Sequence, residues 1–178
     1  MYIEDHKREF GRTFEAYNDE LFRHASMRLK DRDRALEITQ ECFLKVWGYA
    51  QKGGDIREMR PFLYRTLRHL IIDEYRRKKP VSLEQMVEGQ EDMSVEVLLP
   101  PDESNTLEAA IERFDGVVAM AALKKLPDAY SEVLSLRYVE GLSPGEIGGI
   151  VGESENAVSV RIHRGLKKLK AMLDQKNV

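Results

Sequence analysis

Between Leu126 and Leu173 the chain spells two short helices joined by a tight turn, and few folds accept that punctuation. Ser143-Pro144-Gly145-Glu146 is a helix start: a serine N-cap, proline at the first helical position, and Glu146 placed to reach back to the cap. Ile147, Ile150 and Val151 give this helix one apolar face. Gly152 stops it, because glycine tolerates the left-handed conformation of a helix end, and Ser154 can cap the next helix. Val158, Ile162, Leu166, Leu169 and Leu173 then recur at helical spacing on one side. The opposite side carries Asn156, Val160, His163, Arg164 and Lys167, with Ser159 and Lys168 at its edges. A helix-turn-helix lays the N-terminal part of its second helix against base edges in the major groove. Arginine there can read guanine, asparagine adenine, and valine can meet a thymine methyl. The competing reading is a surface helix whose lysines serve only solubility.

Charge is distributed unevenly. From Val81 to Gly116 there are ten acidic residues and one basic, a net of −9, which leaves +6 for the rest of a chain whose total is −3. An acidic middle thus separates two basic ends. The single cysteine, Cys42, excludes an internal disulfide and fits a reducing compartment. No apolar run approaches the ~20 residues needed to cross a bilayer, and the charged N-terminus is unlike a signal peptide. A cytoplasmic location is expected.

The first block is helical. Phe10, Phe14, Tyr17, Leu21 and Phe22 form one apolar stripe, continued by Ala25 and Leu29. After a polar turn at Asp31–Asp33, Ala35, Ile38, Cys42, Phe43 and Val46 form a second, ending at Trp47. Gly53-Gly54 breaks the chain. A third helix over Arg60–Lys79 has Leu63, Leu67, Leu70 and Ile71 as its apolar side. It also carries Arg65, Arg68, His69, Arg76, Arg77, Lys78 and Lys79, interleaved with Phe62, Tyr64 and Tyr75. Cations hold phosphates and aromatics stack on unpaired bases, so this mixture suits opened DNA. Pro80 to about Asn105 reads as an acidic flexible linker. Further helices are expected over Leu107–Leu126, Asp128–Glu140, Ser143–Val151 and Glu155–Leu173. The expected fold is all-α: two small helical domains, 9–79 and 106–178, on a tether at 80–105.

The run from Asp33 to Trp47 resembles the polymerase-binding helix of bacterial sigma factors, and Phe62 to Asp73 resembles their −10 promoter helix. Leu126-Pro127, Leu136 to Ser143, Glu146-Ile147 and Arg161 to Gly165 resemble their −35 helix-turn-helix. Size and motif order are similar to the extracytoplasmic-function (ECF) group of the sigma-70 family. The resemblance implies a region-2-like first domain that docks on core RNA polymerase (β and β′ subunits) through Glu37, Gln40, Glu41, Phe43 and Leu44. It implies capture of melted −10 DNA by Lys52 and Arg57 of the preceding loop, with Tyr64, Arg65, Arg68, His69, Arg76 and Arg77. It implies a region-4-like second domain gripping −35 duplex through Asn156, Ser159, Val160, His163, Arg164, Lys167 and Lys168. Promoter DNA and core polymerase are the implied partners, and an anti-sigma factor is left open.

The chain departs from the family pattern at several positions. Glu37 stands where aspartate is usual, Phe62 for a frequent tryptophan, His69 for a frequent asparagine, and Ser159 for a basic residue. Glu153 fills an often apolar turn position. Gly148-Gly149 lies inside a helix, at about 1 kcal/mol per glycine relative to alanine, which predicts a soft second domain. Asp73 is expected to partner a nearby arginine. Two readings of the acidic stretch stand: a polyanion that occupies a nucleic-acid channel, or a tether kept soluble by its charge.

No enzyme is expected. His6, His24, His69 and His163 are scattered without metal-ligand spacing, Cys42 sits on an apolar stripe, and no phosphate-cradling glycine motif is present, so neither cofactor nor metal is implied. The rival function is a one-component helix-turn-helix regulator, its first domain serving as a ligand or dimer module.

Overall fold

A computed structural model describes the backbone of residues 2–78, 108–109, 112–113 and 115–176. The expected linker at 80–105 lies outside them. Among the described residues the regular structure is helical and there is no strand. The chain divides into two compact units, Met1–Pro80 and Val81–Val178. No helix is long and apolar enough to cross a membrane among the described residues.

The first unit holds α1 (Tyr2–Arg28), α2 (Arg32–Gln51) and α3 (Met59–Lys78), each packed against the other two. Asp31 starts α2 by accepting from the backbone N–H of Asp33 and Arg34. The predicted stripes meet inside: Leu21 and Ala25 of α1, Ile38, Cys42 and Val46 of α2, Leu63, Leu67 and Ile71 of α3. Phe10 and Phe14 close the lower end on the Phe43 ring, at 6.2 and 4.8 Å between centroids. The Cys42 thiol donates to the Leu63 carbonyl at 3.4 Å, and burial pushes it up to about 12. It is a packing residue, not a reactive one. Polar ties complete the unit. Arg60 grips Glu20 with two bonds of 2.9 and 3.0 Å, and the Tyr75 hydroxyl donates to the Arg28 carbonyl at 2.6 Å.

His24 is buried edge-on against Tyr64 at 5.4 Å. Burial, then the charges of Arg28 and Arg23, push it from 6.5 down to about 3. The unfolded chain therefore takes up a proton near pH 6.5 that the folded chain refuses until about pH 3. The stability contributed is complete above pH 6.5 and is lost as pH falls through that window. At about 1.4 kcal/mol per pH unit, the unit should lose roughly 2 kcal/mol between pH 6.5 and 5. Urea unfolding at pH 7.5 and 5.0 checks this. A slope that survives His24→Gln would assign it to another group.

The second unit is built around one long helix. In chain order it holds α4 (Gly116–Leu123), α5 (Asp128–Leu134), a π-helical turn (Ser135–Val139), α6 (Pro144–Val151) and α7 (Glu155–Lys176). The last packs against α4, α5 and α6. Asp115 caps α4 by accepting from the Val117 N–H at 2.7 Å, so the stretch expected as one helix over Leu107–Leu126 is interrupted at Asp115, with Glu108 and Ala109 helical ahead of the cap and α4 ending at Leu123. The helix expected over Asp128–Glu140 widens after Leu134. Glu140 N–H reaches the Ser135 carbonyl at 3.1 Å, and Leu142 N–H the Leu136 carbonyl at 3.0 Å. Leu136 and Leu142 are both buried by this wide turn. Gly141, at φ 72°, then turns the chain toward α6.

Candidate nucleic-acid interface

The reading head of the second unit follows from its caps. Ser143 Oγ accepts from the Glu146 N–H at 3.3 Å, and the Glu146 carboxylate accepts from the Ser143 N–H at 2.7 Å. Gly152, at φ 80°, ends α6 in the left-handed conformation. Ser154 Oγ then accepts from the Ala157 N–H at 3.2 Å and starts α7. The glycine pair is not uniformly soft. A Cβ on Gly148 would lie 2.6 Å from the Glu153 carbonyl oxygen, whereas one on Gly149 would meet nothing within 4 Å. The Gly148 carbonyl also accepts from the N–H groups of Gly152 and Glu153, at 2.9 and 3.0 Å. The turn is folded tightly onto Gly148, and only glycine leaves it room. Glu153 is explained in the same way: its carboxylate meets Arg161 at 2.7 Å and ties the turn to α7.

On α7, Asn156, Lys167 and Lys168 are exposed, while Ser159 and Arg164 are half-buried. The Ser159 hydroxyl donates to the Glu155 carbonyl at 2.9 Å, and Lys168 Nζ lies 5.4 Å from the Tyr130 ring centroid. Two expected base-facing residues are not on the surface: Val160 is 7% exposed and His163 3%. Helical spacing sorts positions by angle alone. Valine gains from burial and imidazole is compact, so neither resists being covered as lysine does. The accessible face is therefore narrower than the periodicity predicts.

In the first unit, Arg65 and His69 are exposed and Arg68 is half-buried on α3, with Lys52 and Arg57 exposed on the preceding loop. Arg57 pairs with Asp55 at 3.6 Å. Tyr64 is a correction. It is 1% exposed, because α3 packs against both α1 and α2 and its buried arc spans Leu63 and Tyr64 together. Asp73 meets Arg76 at 3.8 Å, but both groups are exposed and such a pair contributes little.

The acid that organises α3 is Glu74, which sequence reasoning missed. It is buried, accepts from Arg34 Nε at 2.9 Å, meets Lys78 at 3.3 Å, and pairs with Arg77. Burial alone would raise its pKa; the Arg34 and Lys78 hydrogen bonds and the Arg34 and Arg77 charges outweigh burial and hold it below the ordinary carboxylate value. Arg34 also donates to Glu37 at 2.7 Å. One signal was available: Glu74 continues the 63–67–70–71 spacing of the apolar side. Its main partner is 40 residues away and left no local trace.

The α2 face divides as well. Gln40 and Leu44 are exposed, Leu44 at 67%, Glu37 is exposed, and Glu41 meets Lys45 at 3.4 Å. Phe43 is 2% exposed and belongs to the core, clasped by Phe10 and Phe14. Leu36, exposed and one turn before Gln40, was passed over although it stands off the buried stripe. Leu36, Gln40 and Leu44 thus form an exposed row at four-residue spacing. Among the described residues no three His, Cys, Asp or Glu side chains converge as metal ligands.

Residues 13–81 match the family model "Sigma-70 region 2" and residues 117–169 match "Sigma-70, region 4". The ECF RNA polymerase sigma factor SigW of Bacillus subtilis is 29% identical over 92% of this chain and 88% of its own length. RNA polymerase sigma factor SigV of the same organism is 26% identical over 99% and 91%, and ECF sigma factor SigL of Mycobacterium tuberculosis 28% over 89% and 85%. A solved structure of the sigma factor RpoE with the anti-sigma factor NepR, from Bartonella quintana, shares the fold. RpoE superposes with a TM-score of 0.67 at 17% identity, over 94% of this chain and 98% of its own. Two regions of one family, in order and on separate units, with relatives aligned almost end to end, make the chain a member of the sigma-70 family of RNA polymerase sigma factors, in its ECF group.

Proposed function

We propose that this sigma factor directs core RNA polymerase to promoters by dividing the work between its two units. In the first, the exposed α2 row with Glu37 and Glu41 docks on polymerase β and β′. The cations of α3 and its preceding loop, Lys52, Arg57, Arg65, Arg68, Arg76 and Arg77, with His69 beside them, hold the melted −10 strand. In the second, Asn156, Ser159, Arg164, Lys167 and Lys168 grip the −35 duplex. We leave Tyr64, Phe43, Val160 and His163 out of direct contact, since all four are buried. The domain limits we adopt are 9–79 and 106–178. An anti-sigma factor is a further proposed partner, the kind of protein with which RpoE was crystallised. With such partners, a cytoplasmic location is part of the proposal.

The observation that carries this reading is the pairing of an exposed α2 row with a cationic α3 on a single unit. A one-component regulator has no use for that pair. A sigma factor is an initiation factor, not an enzyme: opening is favoured when binding energy is larger for the opened strand than for the closed one. Run-off transcription with purified core polymerase tests the proposal. Promoter-dependent transcripts from core plus this chain alone are expected, and sequencing the DNA that co-purifies recovers the promoters. Tight duplex binding as a dimer without polymerase would instead favour the regulator.

Arg164 supplies the test of the −35 assignment. Its replacement by alanine should weaken discrimination at one −35 position by about 1–3 kcal/mol if the guanidinium reads a base bidentately. Competition binding against single-base variants measures it, and an unchanged preference would reject the role.

A further inference from the structure

Three cations of the first unit converge on the carboxylate of Glu74, and one of them, Arg77, is also among the proposed DNA contacts. Arg34 reaches Glu74 Oε2 with both Nε and Nη2, each at 2.9 Å. The Arg77 guanidinium meets the same oxygen, and Lys78 Nζ meets Oε1 at 3.3 Å. A carboxylate oxygen has two lone-pair sites, so three N–H groups at Oε2 compete for two places. Exposure separates the competitors. The Glu74 side chain is 2% exposed and that of Arg34 24%, whereas Arg77 is 64% exposed and Lys78 56%. The outer two reach inward from solvent on long stems. Arg34 is itself shared, because its Nη1 donates to exposed Glu37 at 2.7 Å.

We infer that Glu74 is an internal stand-in for a DNA phosphate, which holds Arg77 against the first unit until a strand draws the guanidinium away. The inference rests on the reading of α3 as a DNA-facing helix and adds a restraint to it. A carboxylate and a phosphate offer a guanidinium the same chemistry, an anion whose paired oxygens accept from its N–H fork. Release of Arg77 leaves no buried charge alone. Glu74 keeps Arg34 and Lys78, and Oε2 returns to two N–H groups for its two sites. The restraint still has an effect, since Arg77 must leave one anion before it meets another. That step lowers affinity for a strand of any sequence by the same factor, because phosphates carry no base identity. Contacts that read bases then supply a larger share of the total. The neighbouring Arg76 meets exposed Asp73 at 3.8 Å, a weaker hold in solvent. Two adjacent cations on one turn of α3 are thus restrained to different degrees.

The test measures binding of the full chain to a short fluorescein-labelled single strand of mixed sequence, by anisotropy at low salt. The second unit is assigned to duplex, so a single strand reports on the first. Glu74→Gln keeps the shape of the side chain and an acceptor oxygen for Arg34 but removes the charge that holds Arg77. Affinity should rise roughly fivefold, the size of a partly exposed ion pair, and the gain should vanish in an Arg77→Ala background. Glu37→Gln is a second route that leaves the buried acid in place. Arg34 then loses its outer anion and takes more of Oε2, so affinity should rise about twofold, again only while Arg77 is present. Thermal unfolding shows whether Glu74→Gln is folded, and where it is not, the Glu37→Gln pair decides. Unchanged affinity in the folded variants overturns the restraint. A gain that survives Arg77→Ala also overturns it, since net charge alone would then account for the rise. Promoter-dependent transcription by the wild-type chain with core polymerase is read separately. Its presence beside either of those results keeps the proposed function and discards the restraint. Its absence removes the DNA-facing reading of α3, and the restraint with it.

Discussion

Phe43→Ala is expected to destabilise the first unit by about 3–5 kcal/mol, the range for truncating a buried phenylalanine. Its ring is almost fully enclosed and is touched by Phe10 and Phe14, so the lost volume opens a cavity among rigid rings that cannot collapse to fill it. Domains commonly hold about 5–15 kcal/mol in all, and a small three-helix unit belongs near the bottom of that range. The variant should melt far below the parent and lose polymerase affinity only because it unfolds. The neighbouring residue makes the contrast. Leu44→Glu changes an exposed side chain and should move stability by about 0.5 kcal/mol at most. It places a charge in the proposed docking row and should lower core affinity by at least about tenfold, as interface anchors do. Thermal unfolding by circular dichroism and equilibrium binding to core polymerase separate the two outcomes. Normal affinity in Leu44→Glu would remove the row from the docking surface.

The glycine pair in α6 should respond with opposite signs. Gly148→Ala sets a methyl group against the Glu153 carbonyl, which is backbone and cannot rotate away. Removing a helix-interior glycine gains about 1 kcal/mol. Overpacking a tight site costs about 1–3 kcal/mol, and the turn must also lengthen the bonds that the Gly148 carbonyl accepts from Gly152 and Glu153. The clash wins. The expected net loss is about 1 kcal/mol, with −35 binding impaired because the turn sets the entry angle of α7. Gly149→Ala meets open space and should stabilise by up to about 1 kcal/mol with −35 binding intact. Urea unfolding of both variants checks the pair, and two shifts of the same sign would contradict the close approach at Gly148.

Most of the fold was legible because it depends on short-range chemistry. The Ser143–Glu146 capping box, the Gly152 stop and the Ser154 start are all formed from residues within four positions of one another. The apolar stripes of α1, α2 and α3 needed only their own spacing. What escaped depends on contacts that sequence distance hides. Tyr64 carries a polar tip and was placed at a DNA surface, yet α3 has two neighbours to face and its ring went inside. Phe43 and Leu44 are adjacent and equally apolar, and only the position of Phe10 and Phe14 decides which is core. The Asp115 cap was readable in principle, since Asp-Gly before an apolar run is a helix start, but the apolar positions on both sides of it read as one continuous helix.

The carboxylate at position 74 carries a lesson for anyone who would build hybrid factors from this one. Its Arg34 partner begins the helix proposed to dock on polymerase, whereas Arg77 and Lys78 end the helix proposed to hold DNA. A splice made in the loop between those helices severs one buried network and sends its halves to different parents. A donor segment bringing an acid at 74 into a recipient without arginine at 34 would lose the main donor to a buried charge, a loss of the order of 3–5 kcal/mol where no other partner compensates. Promoter preference is therefore best exchanged with both helices together.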